Sequence, residues 1–322
     1  MKHISILVPN DAVLAAIDDP RVIFSAVNQF LEAEGQPPFF DIQLVGLHRE
    51  VRLHNGKFSV HTDALISEID RTDLIFVPAL AGDLTVALEN NAGLKDWITT
   101  QYKQGAEVAS LCLGAFLLAS TGLLNGKQCS THWLMANRFR TMFPEVELVD
   151  GTIITEIQGL YSSGGATSYW NLLLYLVEKY TSREMAIRAA KYFAIEMNRS
   201  NQSAYIMFQG QTGHGDDAVK KAQDFIEHNV HQRISVEQLS DVVAVGRRSL
   251  ERRFKKATNN TTIEYIQRVK IEATKKGLES SRKSVNELMY EVGYTDMKAF
   301  RTVFRKVTGL SPVEYRNRYN RS

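Results

Sequence analysis

An α/β domain built on a doubly wound, largely parallel, flavodoxin-like sheet, followed by an all-helical domain, is the fold class this sequence predicts. Three observations predict it. Strand-like and helix-like stretches alternate through the first two hundred residues; strand candidates then cease; and the last hundred residues carry one helix–turn–helix pattern twice.

The chain opens on an apolar run, His3–Val8, that reads as a buried strand, and Val22 to Leu31 follows with apolar residues at helical spacing. Phe40–Leu47 and Leu74–Val77 are the next strands, the latter stopped by Pro78. Leu94–Tyr102 reads as a helix, Glu107–Leu111 as a strand, and Leu113–Thr121 as a helix closed by Gly122. Ile153–Ile157 and Leu160–Ser162 are strands, and Ala166–Lys179 is a long apolar helix. Such β/α alternation places helices on both faces of a parallel sheet.

A polar, Gly-rich run from Gln209 to Asp217 is the most linker-like stretch. The boundary is expected there, with a first domain over 1–210, a linker over 211–217 and a second domain over 218–322. Within the second domain, Ser235-Val-Glu-Gln-Leu-Ser-Asp-Val-Val243 repeats 49 residues later as Ser284-Val-Asn-Glu-Leu-Met-Tyr-Glu-Val292. Leu250, Phe254 and Thr258 likewise match Phe300, Phe304 and Thr308 after a one-residue difference in the turn. Two helix–turn–helices are expected, over about 235–256 and 284–307, joined by a helix over about 262–278. Such a rod is about 22 Å long, on the scale of the roughly 34 Å between successive major-groove faces of DNA.

Charge divides along the same boundary. The net charge is +2, yet from Gly215 onward 22 Lys and Arg face 14 Asp and Glu, leaving 16 against 22 for the preceding part. A basic domain on an acidic body is the electrostatic footprint of a nucleic-acid partner. The 44% hydrophobic and 23% charged content is that of a globular protein. With no run that reads as a signal peptide or membrane span, and only two cysteines, the expected location is the cytoplasm, away from membranes. The eight histidines show no metal-ligand spacing, and no glycine run has a phosphate-loop context, so no metal or cofactor is expected.

Ser249-Leu-Glu-Arg-Arg-Phe-Lys-Lys-Ala-Thr258, Val292-Gly-Tyr-Thr-Asp296, Ala299-Phe-Arg-Thr-Val-Phe-Arg-Lys306 and Gly309-Leu-Ser-Pro-Val-Glu-Tyr-Arg316 resemble the AraC family of bacterial transcription regulators over roughly Ala218 to Tyr319. The resemblance implies two helix–turn–helix subdomains joined by one helix, and transcriptional activation. Gly246, Arg247, Arg248, Ser249 and Arg252 in the first recognition helix are then the candidate DNA contacts. Asp296, Met297, Lys298, Arg301 and Arg305 are their counterparts in the second, and Arg253, Lys255, Arg305 and Lys306, near the helix ends, are candidate phosphate contacts. Arginine reads guanine bidentately, whereas contacts near helix ends serve the phosphates.

In the first domain, Ala109-Ser-Leu-Cys112-Leu-Gly114 sets a cysteine between a strand and a helix, the pattern of a nucleophile elbow with its thiol exposed. Helix-terminal amides would favour a thiolate there, and His132 is the candidate partner imidazole. Cys129 reads as a small buried apolar residue instead. Cys112, Gly114-Ala-Phe-Leu-Leu-Ala119, Thr131-His-Trp133 and Ser162-Ser-Gly-Gly165 resemble the PfpI-like, class I glutamine-amidotransferase-like superfamily. They are most similar to the GlxA-type regulators in which that fold precedes an AraC module. Hydrolases of the superfamily pair Cys with His and carry a carboxylate from the first helix near the thiol. Here Leu113 replaces the histidine that follows the cysteine in PfpI proteases, and Val22 falls where related regulators often have Glu, with Asp18 and Asp19 the nearby acids.

The expected function is therefore sequence-specific control of transcription, with no enzymatic activity and Cys112 and His132 vestigial. The expected partners are a double-stranded DNA operator, a second copy of the chain in a homodimer, and RNA polymerase. A small-molecule effector, an amine or amino-acid derivative by analogy with related regulators, is expected near Cys112, His132, Trp133, Ser163, Gly164 and Gly165, at the carboxyl ends of the strands. The alternative is a Cys-dependent hydrolase or amidase with an accessory DNA-binding domain.

Overall fold

A computed structural model of the protein describes residues 1–197, 202–208, 210–211 and 213–320. They divide into two compact units, Met1–Gln202 and Ser203–Ser322.

In the first unit, β1 (Lys2–Leu7) leads through α1 (Leu14–Ala33) to β2 (Phe40–Gly46), which lies parallel to β1 with Ile4 opposite Ile42. A small hairpin, β3 (Glu50–Leu53) with β4 (Phe58–His61), precedes the two-residue β5 (Ala64–Leu65). Between β6 (Leu74–Val77) and β7 (Glu107–Ser110) run α2 (Leu84–Asn90) and α3 (Gly93–Lys103). Helix α4 (Gly114–Ser120) follows, then a short parallel pair, β8 (Gln128–Cys129) and β9 (Glu147–Leu148), around α5 (Ala136–Met142). The hairpin β10 (Ile154–Ile157) and β11 (Leu160–Ser163) completes the main sheet, and α6 (Tyr169–Tyr180) and α7 (Arg183–Tyr192) end the unit.

The main sheet has the order β10-β11-β7-β6-β1-β2-β5, parallel except for β10. Its inner order, β2-β1-β6-β7-β11, is the flavodoxin-like arrangement, so the carboxyl ends of β6, β7 and β11 gather at one edge. Both faces are covered, and side chains alternate between two cores. Phe76 joins Phe24 and Leu172 on one side, while Ile75 and Val77 join Phe116 and Ile98 on the other. Helix α1 begins eight residues before the apolar pattern expected from Val22, because it runs through Pro20, a residue that reads as a breaker but is here buried.

In the second unit, the helices are α8 (Asp217–His228), α9 (Val236–Val243), α10 (Arg247–Thr258), α11 (Thr262–Ser280), α12 (Val285–Glu291), α13 (Met297–Thr308) and α14 (Pro312–Tyr319). Two cores flank α11. Leu239, Leu250, Phe254 and Tyr265 belong to the first, and Leu288, Phe300, Phe304 and Tyr315 to the second. Lys270 on α11 joins the two halves. Its buried ammonium donates to the carbonyls of Val230 (2.9 Å) and Gln232 (2.7 Å), ahead of α9, and to that of Val292, in the second turn.

The division between units falls earlier than the 211–217 linker expected from composition. Residues 203–208 pack with the helical unit: Phe208 stacks edge-on against Tyr265 at 5.1 Å, its N–H donates to Glu272 at 3.1 Å, and Lys275 donates to the Ile206 carbonyl. The described residues of the Gly-rich run, 210–211 and 213–217, belong to that unit. Gln211 accepts from Gln223 at 3.0 Å, and Asp216 caps α8 through the Val219 N–H. Thr212 of the expected linker lies outside the described residues, as do residues 321–322 of the expected second domain.

Candidate functional site

Cys112 sits directly after β7 with φ +53°, a left-handed conformation that costs a non-glycine residue on the order of 1–2 kcal/mol. What holds it there is the close approach of the next turn to β6: a Cβ on Gly114 would lie 2.2 Å from the Val77 carbonyl oxygen. The Cys112 N–H donates to Ser163 Oγ (3.4 Å), and Thr131 Oγ1 donates to the Cys112 carbonyl (3.1 Å). The backbone is thus the strained elbow expected of the motif.

The thiol does not match the exposed nucleophile expected there. Cys112 is 6% exposed, and burial pushes its thiol up to about 12, outweighing the hydrogen bond from Leu113. A desolvated sulfur stays protonated, whatever the helix terminus offers. Nor is His132 its partner. The Leu134 N–H donates to His132 Nδ1 at 3.1 Å, making the imidazole the cap of a short turn, and its ring leans on Trp133 at 5.5 Å. Among the described residues no hydrogen bond joins His132 to Cys112. Cys129 is fully buried, as its apolar context predicts.

Near the elbow the structure places one acid that the sequence left unplaced and one residue that sequence reading misses. Asp19 on α1 accepts from the Tyr169 hydroxyl at 2.6 Å. Burial raises the Asp19 carboxyl, and burial together with Asp19 and the neighbouring Cys112 raises the Tyr169 hydroxyl. The first-helix acid is therefore Asp19, and it meets the elbow through a tyrosine. The second contributor is Gln202, 2% exposed, whose Nε2 donates to the carbonyls of Thr131 (3.0 Å) and Thr152 (3.2 Å). Its carboxamide lies against Gly164 and Gly165, so Ser163, Gly164 and Gly165 do gather beside Cys112 and Thr131, while His132 and Trp133 form the adjoining turn. Among the described residues no group of three or more His, Cys, Asp or Glu is placed to hold a metal, and no helix is long and apolar enough to cross a membrane.

On α10, Leu250, Phe254 and Thr258 point inward, leaving Arg248 and Arg252 exposed one turn apart, with Gly246 exposed at the helix start and Ser249 half-buried. Arg247 is exposed too, but its guanidinium is paired with Glu237 and, at 3.4 Å, with Glu251. On α13, Phe300 and Phe304 point inward, and Lys298, Arg301 and Arg305 share the outer face. Asp296 is engaged as the N-cap, accepting from the N–H groups of Lys298 (2.7 Å) and Ala299 (3.1 Å), and Met297 is half-buried against the second core. Arg253 is held bidentately by Asp216 (2.7 and 2.8 Å), tying α10 to α8, and Lys255 donates to the Asn259 carbonyl. Arg248, Arg252, Lys298, Arg301 and Arg305 form no ion pair among the described residues, and neither do the exposed Lys255, Lys256 and Lys306 in the last turns of the two helices.

Residues 239–318 match the helix-turn-helix domain family, and residues 26–179 match the DJ-1/PfpI family. The HTH-type transcriptional regulator GbdR of Pseudomonas aeruginosa is 24% identical over 221 residues, which are 68% of this chain and 60% of GbdR. The chain thus covers less than two thirds of that relative. The HTH-type transcriptional regulator CdhR of the same organism is 23% identical over 267 residues, 82% of this chain and 78% of CdhR. The crystal structure of an AraC family transcriptional regulator from Pseudomonas putida shares the fold, with a TM-score of 0.50 at 16% identity over 60% of this chain and all of that one.

Proposed function

The chain belongs to the AraC-type helix-turn-helix regulators that carry an N-terminal DJ-1/PfpI domain, and we propose that it binds a DNA operator in the cytoplasm through α10 and α13 under the control of a small-molecule effector. One observation carries the DNA reading. Both copies of the repeat bury their aromatic face and turn unpaired cations outward: Arg248 and Arg252 on one, Lys298, Arg301 and Arg305 on the other. Arginines held only by solvent are free to fork onto guanine or pair with phosphate. Arg247, already paired with two glutamates, is a weaker contact than its position suggests. Lys270 supports a fixed spacing between the two reading helices, because it binds carbonyls from both halves.

The effector is proposed to bind near Ser163–Gly165 and Cys112, where the strand ends meet. Regulation would act on a homodimer and, for activation, on contact with RNA polymerase. The opposing reading, a Cys-dependent hydrolase, requires an accessible thiolate and a base. The elbow offers a buried protonated thiol, and an imidazole occupied as a cap.

The test is Arg248→Ala and Arg301→Ala, measured on operator and on random DNA across a salt series. A base-reading arginine costs about 1–3 kcal/mol on operator alone. A phosphate contact weakens both DNAs equally and lowers the slope of log affinity against log salt by about 0.9. Unchanged affinity for both DNAs in both variants would sink the assignment of these helices.

A further inference from the structure

Gln202 occupies its cleft in the manner of a ligand. Its backbone N–H donates to the Gly151 carbonyl at 2.6 Å, and its side chain reaches into a recess floored by Gly164 and Gly165. There Nε2 feeds two converging carbonyls, those of Thr131 and Thr152, while Oε1 is buried with no hydrogen-bond partner. Gly164 shows how close the fit is: a Cβ there would lie 2.0 Å from Nε2 and 2.7 Å from Cδ. Its φ is not in the left-handed region, so the missing side chain makes room for the carboxamide rather than permitting a turn.

Two acceptors fed by one nitrogen, with an oxygen left orphaned beside it, describe a subsite better suited to a donor-only nitrogen group than to an amide. Thr131 also links this recess to the elbow, its hydroxyl donating to the Cys112 carbonyl while its own carbonyl receives Gln202. Gln202 is moreover the last residue of the first unit, and Ser203 begins the helical one. Whatever fills the recess therefore decides whether the chain is anchored at the point where it leaves the sensor.

We propose that the carbonyls of Thr131 and Thr152 are the effector's nitrogen-donor subsite, and that Gln202 holds it as an internal ligand until a small ammonium or guanidinium compound displaces it. Displacement frees the carboxamide and unpins the chain immediately ahead of the DNA-binding unit, which couples occupancy to operator affinity. This rests on the regulator reading above and specifies its ligand chemistry.

The experiment uses the full chain with Gln202→Ala and Gly164→Ala, and methylammonium as probe against sodium at equal ionic strength. Gln202→Ala opens the subsite without a competitor, so methylammonium raises its melting temperature by about 3–5 °C, and raises that of the wild type by much less. Gly164→Ala fills the space taken by Nε2. It both evicts Gln202 and excludes the probe, so no shift is expected. Equal shifts in all three proteins, or none in Gln202→Ala, would overturn the subsite. For the latch, both variants alter operator affinity in the absence of effector at least threefold in the same direction, and affinity equal to wild type in both overturns it. A protein that shows the thermal pattern yet binds no DNA in any form would instead refute the regulator reading and leave the subsite standing.

Discussion

Cys112 combines a strained backbone geometry with an inert side chain, and the two have separate causes. The φ of +53° follows from Gly114 packing on the β6 carbonyls, whereas the thiol's state follows from burial. With Cys112 and Cys129 both pushed up to about 12, each stays protonated far above neutrality. A group whose folded value is raised contributes stability that is full below its unfolded value and is lost as pH rises through the folded one. Both thiols are protonated in either state at neutral pH, so stability is unaffected there and falls as pH rises from the ordinary thiol value of 9 toward 12, where the unfolded chain loses protons first. The consequence for reactivity is direct. At pH 8 the thiolate fraction is about a thousandfold below that of an ordinary cysteine, so iodoacetamide should label both residues in urea and neither in the native protein over the same interval. Rapid native labelling of Cys112 would return the hydrolase reading to contention.

At the scale of elements, the tandem repeat makes a controlled comparison available. The turn between α9 and α10 places Ala244 at φ +51°, and the corresponding turn between α12 and α13 places Gly293 at φ +72°. Ala244→Gly should stabilise by roughly 0.5–1 kcal/mol, because relief of the left-handed strain exceeds the added chain entropy. Gly293→Ala should destabilise by about 2–3 kcal/mol, since its Cβ would also meet the His231 and Gln232 carbonyl oxygens at 2.7 and 2.9 Å. Urea denaturation decides both; a stabilising Gly293→Ala would mean that the loop before α9 yields easily. The repeat was legible because serine caps and apolar spacing are local. It extends further than that reading took it, since Thr261, Glu264 and Tyr265 recur as Ser311, Glu314 and Tyr315, two capping boxes each followed by a buried tyrosine. The α/β alternation was legible for the same reason. The first turns of α1, ahead of Val22, were not, because Pro20 interrupts the pattern, and neither were the partner of Asp19 and the place of Gln202. Their significance comes from neighbours 150 and 71 residues away in the chain.

For the whole molecule, the question is where one unit ends, and composition and packing answer it differently. Polarity and glycine content favour 211–217, while Phe208 and the Ile206 carbonyl belong to the helical unit by contact. A fragment starting at Gly213 would lose the Phe208 ring from the face of Tyr265 and leave the buried ammonium of Lys275 without its carbonyl partner. The ring is worth about 2 kcal/mol, and loss of one of the two hydrogen bonds of the Lys275 ammonium, which keeps Glu272 at 2.8 Å, adds about 1 more. The fragment 203–322 should therefore be about 3 kcal/mol more stable than 213–322, with a correspondingly higher urea midpoint. Equal midpoints would assign residues 203–212 to the connection rather than to the domain. The displacement of Gln202 would then act on a slack tether, with no mechanical route to the reading helices.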